Sequence, residues 1–185
     1  MKETRLKREL KYRCSFLDLY EDDVSLPDGR VSQRVVIKHP GGASVLPMLP
    51  DGRIILTKQY RYPIERISIE IPAGKKDFIG EDGLTCAKRE LEEETGYGSH
   101  QWKKMFDVDP CVGYSDERLH LFIAYDCYKI DQPKAMDDDE MIDLLIVNQE
   151  QIRKLLSDGS ITDGKTIIAL QHVLLHEVHH EKKTD

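Results

Sequence analysis

The chain has 185 residues, a third of them charged and 39% hydrophobic, with a formal net charge of −7. That length supports one domain, or one domain with a small appendage, and a real core. The acidic balance lacks the basic footprint of nonspecific nucleic-acid binding, and no apolar run reaches the roughly 20 residues of a bilayer span, so neither nucleic acid nor membrane is expected as a partner.

The N-terminal stretch MKETRLKREL is charged and lacks the apolar segment of a signal peptide, so a cytoplasmic location is expected. Cys14, Cys86, Cys111 and Cys127 are scattered, with no pair at the spacing of a zinc knuckle or redox motif, and read as reduced thiols with packing roles. From residue 12 to residue 71 the pattern is that of strands. LPDG occurs twice, at Leu26–Gly29 and Leu49–Gly52, and Pro-Asp-Gly supplies the backbone conformations of a tight turn. Around these turns YRCSFLDLY, RVVIKH, ASVLPML and RIILTKQY are short and rich in β-branched and aromatic residues, which predicts strands arranged as hairpins. HPGG, at His39–Gly42, reads as a turn or bulge between strands.

A helix is predicted from about Gly83 to Thr95, with Asp82 as its N-cap and Gly96 in the left-handed position beyond its end. Strand-like segments return at QWKKMFDV, RLHLFIAYDCY and IDLLIV. Asn148 to Gln151 has the form of a capping box opening a helix that ends near Gly159. A last helix, from about Thr162 to His180, presents Ile167, Ile168, Leu170, Val173 and Leu174 as its apolar face. On it His172 and His176 stand at a spacing that can bind zinc, and His179 and His180 follow, but the zinc-protease pattern is absent and a helix face near a partner subunit is the reading. The whole order predicts a mixed sheet flanked by helices.

On the helix over 83–95, Leu84, Ala87 and Leu91 share one flank, Glu90, Glu93 and Glu94 fall together beside it, and Glu92 points away. Like charges at this spacing cost an isolated helix roughly 0.2–0.5 kcal/mol per pair. A hard divalent cation reverses that penalty, because carboxylate oxygens are what magnesium prefers. A solvated acidic face is the plainer reading of ELEEE taken alone. Three additions favour the metal: Arg89 can orient one carboxylate, Glu81 lies at the helix entrance, and Pro72-Ala73-Gly74 supplies a loop whose backbone can approach the same ion.

Gly74, Glu81, Arg89-Glu90-Leu91, Glu93-Glu94 and Gly96-Tyr97 together resemble the Nudix box. The spacing agrees at every point but one: the loop between Gly74 and Glu81 is one residue longer than the family's, so a bulge is expected in KKDFIG with the helix register retained. KQYRYPI followed by IEIPAG, the GYSDE loop, DDDEMIDLLIV and DGSITDGKTIIALQ look like the branch of Nudix hydrolases that cleaves ADP-ribose and related nucleoside diphosphate sugars. The likeness spans most of residues 35–175. A proline that many ADP-ribose cleavers carry past the box is Val112 here, with Pro110 two positions earlier, which leaves the choice of sugar open.

The resemblance implies an α+β fold in which a Nudix-type mixed β-sheet is sandwiched between helices. Residues 1–45 would form a small N-terminal antiparallel β subdomain that packs across a homodimer, residues 46–181 the hydrolase domain, and residues 182–185 a disordered tail. It implies magnesium (Mg2+) as cofactor, with manganese (Mn2+) as a substitute, held by Glu90, Glu94, the Ala73 carbonyl and Glu93; Arg89, Glu81, Gly74 and Gly96 would support the box. In the acidic loop Met136–Met141, Glu140 aligns with the family's glutamate over the metals and is the expected general base, with Asp138 second, Glu93 a rival, and a merely solvated loop the plain alternative. Arg61 carries a fork of donors suited to phosphate, with a sheet-edge ion pair as its other reading, and Glu70 can accept hydrogen bonds from a base or sugar. Glu117, in a loop with Tyr114, Ser115 and Asp116, would border the substrate; Tyr62 and Trp102 could stack on a base, though packing is the better reading of Trp102. The expected reaction is hydrolysis of a nucleoside diphosphate sugar to a nucleoside monophosphate and a sugar phosphate. Specificity for GDP-mannose or a dinucleoside polyphosphate, and a non-catalytic nucleotide-sugar sensor, are the alternatives.

Overall fold

The computed structural model describes residues 1–135 and 141–176. In chain order its elements are β1 (Thr4–Arg13), β2 (Asp18–Ser25), β3 (Val31–Lys38), β4 (Gly42–Pro47), β5 (Ile54–Arg61), a 3-10 turn (Tyr62–Ile64), β6 (Arg66–Glu70), β7 (Ala73–Lys75) and α1 (Gly83–Thr95). There follow β8 (Tyr97–Gly98), β9 (Gln101–Val108), β10 (Leu119–Tyr125), β11 (Tyr128–Lys129), β12 (Ile142–Val147), α2 (Gln149–Ser157) and α3 (Gly164–His176).

β1, β2 and β3 form an antiparallel sheet of their own. No strand is predicted before residue 12, although in TRLKRELKYR the apolar Leu6, Leu10 and Tyr12 alternate with charged Arg5, Lys7, Glu9, Lys11 and Arg13; the stretch is too highly charged to read as a core strand. Its pairing comes from the neighbouring strand instead: Arg8 donates twice to Asp22, at 2.7 and 2.6 Å, and Lys11 reaches Glu21 at 3.4 Å. YRCSFLDLY, expected as one strand, is broken by a turn in which the Cys14 N–H donates to the Leu17 carbonyl at 3.0 Å, and Arg13 pairs with Asp18 across it at 2.6 Å.

Both LPDG segments fold alike, with Gly29 and Gly52 at φ of 85° and 82° and each N–H donating to the leucine carbonyl at 2.9 Å. The first closes the β2–β3 hairpin. The second carries the chain from β4 into β5, which lie in different sheets, so only Met48 and Ile54 bridge there and the expected hairpin is absent.

β4 is the hub of the fold. It runs parallel to β10 and antiparallel to β7, and β10 runs antiparallel to β9, giving a mixed sheet in the order β7-β4-β10-β9. The border drawn at residue 45 falls inside this strand. A second, antiparallel sheet has the order β12-β5-β6, and β8 pairs with β11. Alternation along β4 and β10 sends Ala43, Val45, Phe122 and Ala124 to one face, beneath Ala87 and Leu91 of α1. Leu46, Leu121 and Ile123 go to the other, where they meet Leu56 of β5 and Leu170 and Val173 of α3.

α1 has the bounds its caps predict: the Asp82 side chain accepts the Thr85 N–H at 3.0 Å, and Gly96, at φ 71°, donates its N–H to the Glu92 carbonyl at 2.8 Å. At α2 the capping box is present, with Asn148 and Gln151 exchanging two bonds of 2.9 Å. α3 begins at Gly164, two residues after the expected start, because Asp163 caps it by accepting from the Thr166 N–H at 3.0 Å and hydroxyl at 2.6 Å. Ile168, expected on the apolar face, is exposed, and Ala169 takes the buried position. No helix among the described residues is long and apolar enough to cross a membrane.

Candidate active site

α1 lies against β7 so that its acidic flank meets the Ala73–Gly74 backbone. Glu90 and Glu94 are only 8% and 5% exposed, and the Ala73 N–H donates to Glu94 Oε2 at 3.3 Å. Gly74 permits this approach, since a Cβ built on it would fall on the Glu90 carboxylate. Arg89 gathers the remaining acids: its guanidinium stands 2.7 Å from Glu90, 3.2 Å from Glu93, 3.3 Å from Asp77 and 3.7 Å from Glu81, and donates to the Lys75 carbonyl at 3.0 Å. Burial acts to lower the pKa of Arg89, and the surrounding groups, Glu90 foremost with Asp77 and Glu93, together more than offset it, so the guanidinium stays protonated. The lengthened loop is closed by Glu81, which accepts the Asp77 N–H at 2.9 Å, and by Gly80 at φ 97°; the helix register survives the extra residue. Glu92 points away, accepting the Lys134 N–H at 3.1 Å.

A cleft of ≈ 820 Å³ opens along this backbone, lined by Ala73 and Gly74 together with Arg61, Lys165, His39 and Glu117. Arg61 and Glu70 are joined to each other. The guanidinium donates two bonds of 2.8 Å to the carboxylate, and Lys165 adds a third at 2.5 Å while also pairing with Asp163 at 3.1 Å. Burial acts to raise the pKa of Glu70, but Arg61 and Lys165 overcome it and hold the carboxyl at about 2. The expected acceptor for a base or sugar is therefore engaged in orienting two cations of the cleft. Lys165 escaped the sequence reading. The signal was a lysine in the first turn of a helix, where the macrodipole disfavours a cation, so some nearby anion had to hold it there.

In the loop before β10, Glu117 lines the cleft, with its carboxylate 3.8 Å from His39. Asp116 is held by Lys38 at 2.5 Å and by the His39 N–H at 3.0 Å, and the Tyr114 hydroxyl meets Cys111 at 3.3 Å. Pro110 lines the cleft, whereas Val112 is exposed. Trp102 donates to the Ser99 carbonyl at 2.9 Å and packs beside α1, and Tyr62 is exposed outside the lining of the cleft. His172 and His176 lie side by side with their rings tilted by 46° and centroids 4.8 Å apart. Glu140 and Asp138, the expected base and its second, lie outside the described residues, as do His179, His180 and the tail over 182–185.

An arginine-clasped carboxylate helix against a glycine loop, on a mixed sheet between helices, defines a class of protein, and the chain belongs to it: residues 38–170 match the NUDIX domain, so this is a member of the Nudix family. The chain is 37% identical over 177 residues to the ADP-ribose pyrophosphatase of Bacillus subtilis (strain 168), covering 96% of this chain and 95% of that protein. It is 36% identical over 175 residues to the methanol dehydrogenase activator of Bacillus methanolicus, covering 95% and 94%. A crystal structure of an ADP compounds hydrolase matches with a TM-score of 0.82 over 95% of this chain and 94% of that one, at 20% identity, which speaks for the α+β Nudix fold.

Nudix hydrolases are generally dependent on a divalent metal. The residues here fit such an ion, because the donors are hard oxygens, two of the carboxylates are buried, and a glycine leaves room where a side chain would intrude. Among the described residues no three His, Cys, Asp or Glu side chains converge on one point, and Arg89 draws Glu90 and Glu93 to itself.

Proposed function

We infer that the protein uses magnesium to hydrolyse the pyrophosphate bond of a nucleoside diphosphate sugar of the ADP-ribose kind, releasing a nucleoside monophosphate and a sugar phosphate. One observation carries this reading: the buried Glu90 and Glu94 stand at the Ala73–Gly74 wall of a cleft that also holds Arg61 and Lys165. In a chain of net charge −7, a diphosphate needs cations placed for it locally.

Glu90, Glu94, Glu93 and the Ala73 carbonyl would hold the ion, which when bound supplies positive charge at the phosphate oxygens and acidifies water. Arg89 and Glu81 tie the loop to the helix. Arg61 and Lys165 bind and orient the diphosphate, with Glu70 keeping both in place. The oxygen of a water adds to one phosphorus, the bridging P–O bond breaks, and the bridging oxygen leaves with the second phosphate. A carboxylate base takes the proton that the water sheds. Glu140 is assigned that role ahead of Asp138, while Glu93 is already paired with Arg89 at 3.2 Å. Glu117 borders the sugar.

The protein acts in the cytoplasm as a homodimer through its N-terminal sheet, where Leu6, Tyr12, Val31 and Val35 leave apolar surface in water that a second copy would cover. The test of the activity is incubation with ADP-ribose, ADP-glucose and GDP-mannose plus magnesium, with the nucleotide identified. AMP released fastest from ADP-ribose is the expected outcome. Faster release of GMP from GDP-mannose would move the assignment to that sugar, and tight ADP-ribose binding with no product would make the protein a sensor.

A further inference from the structure

His39 opens the HPGG turn, lines the cleft, and is fixed in both backbone and ring. Its N–H donates to Asp116 Oδ1 at 3.0 Å, and Phe16 meets the imidazole edge to face with ring centroids 5.9 Å apart. The Gly41 N–H reaches Nδ1 at 3.1 Å. Gly41 is anchored in turn: it holds φ 81°, its carbonyl accepts the Lys76 N–H at 3.0 Å, and a Cβ there would stand 2.8 Å from the Arg118 carbonyl.

The bond from Gly41 sets the tautomer. A backbone N–H can only donate, so Nδ1 accepts and the proton of the neutral ring sits on Nε2. The 3.8 Å approach of Nδ1 to the Glu117 carboxylate is then no ion pair, because the ring is uncharged. Among the described residues neither Nε2 nor the Glu117 carboxylate has a hydrogen-bond partner, although both side chains line the cleft and are only 14% and 29% exposed. A fixed donor therefore stands beside a fixed acceptor. A phosphate would take one bond and meet the charge of Glu117, and Arg61 and Lys165 already serve phosphates in the same cleft. Two neighbouring hydroxyls fit both groups, since one O–H donates to the carboxylate while the other oxygen accepts from the imidazole. An adenine edge shows the same alternation of donor and acceptor, and the choice of substrates separates the two.

We propose that His39 and Glu117 together recognise the vicinal diol of the substrate's terminal sugar, with Nε2 of His39 as the donor, so that selection of the sugar half resides in this pair. The proposal rests on the hydrolytic reading of the cleft, in which Glu117 borders the sugar. A site built to bond a hydroxyl rejects an analogue that lacks it, because the protein group is then left without a partner.

The experiment measures kcat and KM with magnesium for the wild type, His39→Ala and His39→Gln. The substrates are ADP-ribose, its analogues lacking the 2- or the 3-hydroxyl of the terminal ribose, and its inosine counterpart. His39→Ala should raise KM for ADP-ribose about fivefold, the worth of one neutral hydrogen bond, with kcat held. Glutamine can carry an amide N–H to the place of Nε2, so His39→Gln should recover most of that loss. On one of the two deoxy analogues the wild type and His39→Ala should agree within about twofold, while on the inosine substrate the gap of about fivefold should persist. No gap on ADP-ribose, an equal gap on every substrate, or a gap that closes only with inosine overturns the proposal. Glu117→Gln keeps the backbone bond to Ser115 and should also raise KM for ADP-ribose but not for one deoxy analogue, which decides the matter if His39→Ala does not fold. If the wild type cleaves none of the substrates, the hydrolytic reading itself falls and equilibrium binding decides the pair. A Kd for ADP-ribose about fivefold weaker in His39→Ala, with the gap lost on one deoxy analogue, then supports it, and an unchanged Kd overturns it.

Discussion

At Glu70 one buried carboxylate meets two cations, the largely buried Lys165 ammonium and the partly exposed Arg61 guanidinium. Its carboxyl is held at about 2, below the ordinary 4.5, because Arg61 and Lys165 outweigh a burial that acts the other way. A group depressed in the folded state stabilises it above the unfolded pKa, and that contribution is lost as pH falls through the folded value. Glu70→Gln should therefore cost about 2 kcal/mol in urea denaturation at pH 7, where it strands two cations. The gap to the wild type should close as the pH falls from 4.5 towards about 2. The same variant should raise KM more than it lowers kcat, since Glu70 positions Arg61 and Lys165. Glu94 predicts the opposite division: Glu94→Gln should reduce kcat by at least about 100-fold while circular dichroism stays unchanged, because the charge belongs to the chemistry and the fold survives its loss.

Within α1 the residues that make the helix and those that make the site are separable. Asp82→Ala removes the bond to the Thr85 N–H and should cost about 1 kcal/mol with kcat unaltered. Gly74→Ala should act the other way round, pushing the Glu90 carboxylate from the loop and abolishing turnover, with the denaturation midpoint moving far less than the rate. The caps were legible in the sequence because they act through bonds only a few residues long. β1 was less legible: its period of two, Leu6, Leu10 and Tyr12 against charged neighbours, is interrupted by Arg8, and that arginine is held by Asp22 facing it from β2. Sequence reasoning also made one strand of YRCSFLDLY, where a backbone bond between Cys14 and Leu17 turns the chain.

For the molecule as a whole, the N-terminal sheet and the cleft belong to one question, since Phe16 leaves the β1–β2 connection to line the active cleft. Size-exclusion chromatography should give twice the chain mass for the wild type, and Leu6→Lys with Val35→Lys should shift it to a single chain. The box could be recognised before folding because a helix repeats every 3.6 residues, so spacing alone puts Glu90, Glu93 and Glu94 on one flank. Local rules of this kind carried the helix bounds, the turns, the capping box and the family itself. Partner choice among charges followed a different law. Glu70 and Lys165 are 95 positions apart in the chain and 2.5 Å apart in space, and the energy of such a pair depends on distance and local dielectric, which only the packed fold sets. Folding likewise made Arg61 and Glu70 partners of each other, and it carried Lys165, unmarked in the linear text, into the wall of the cleft.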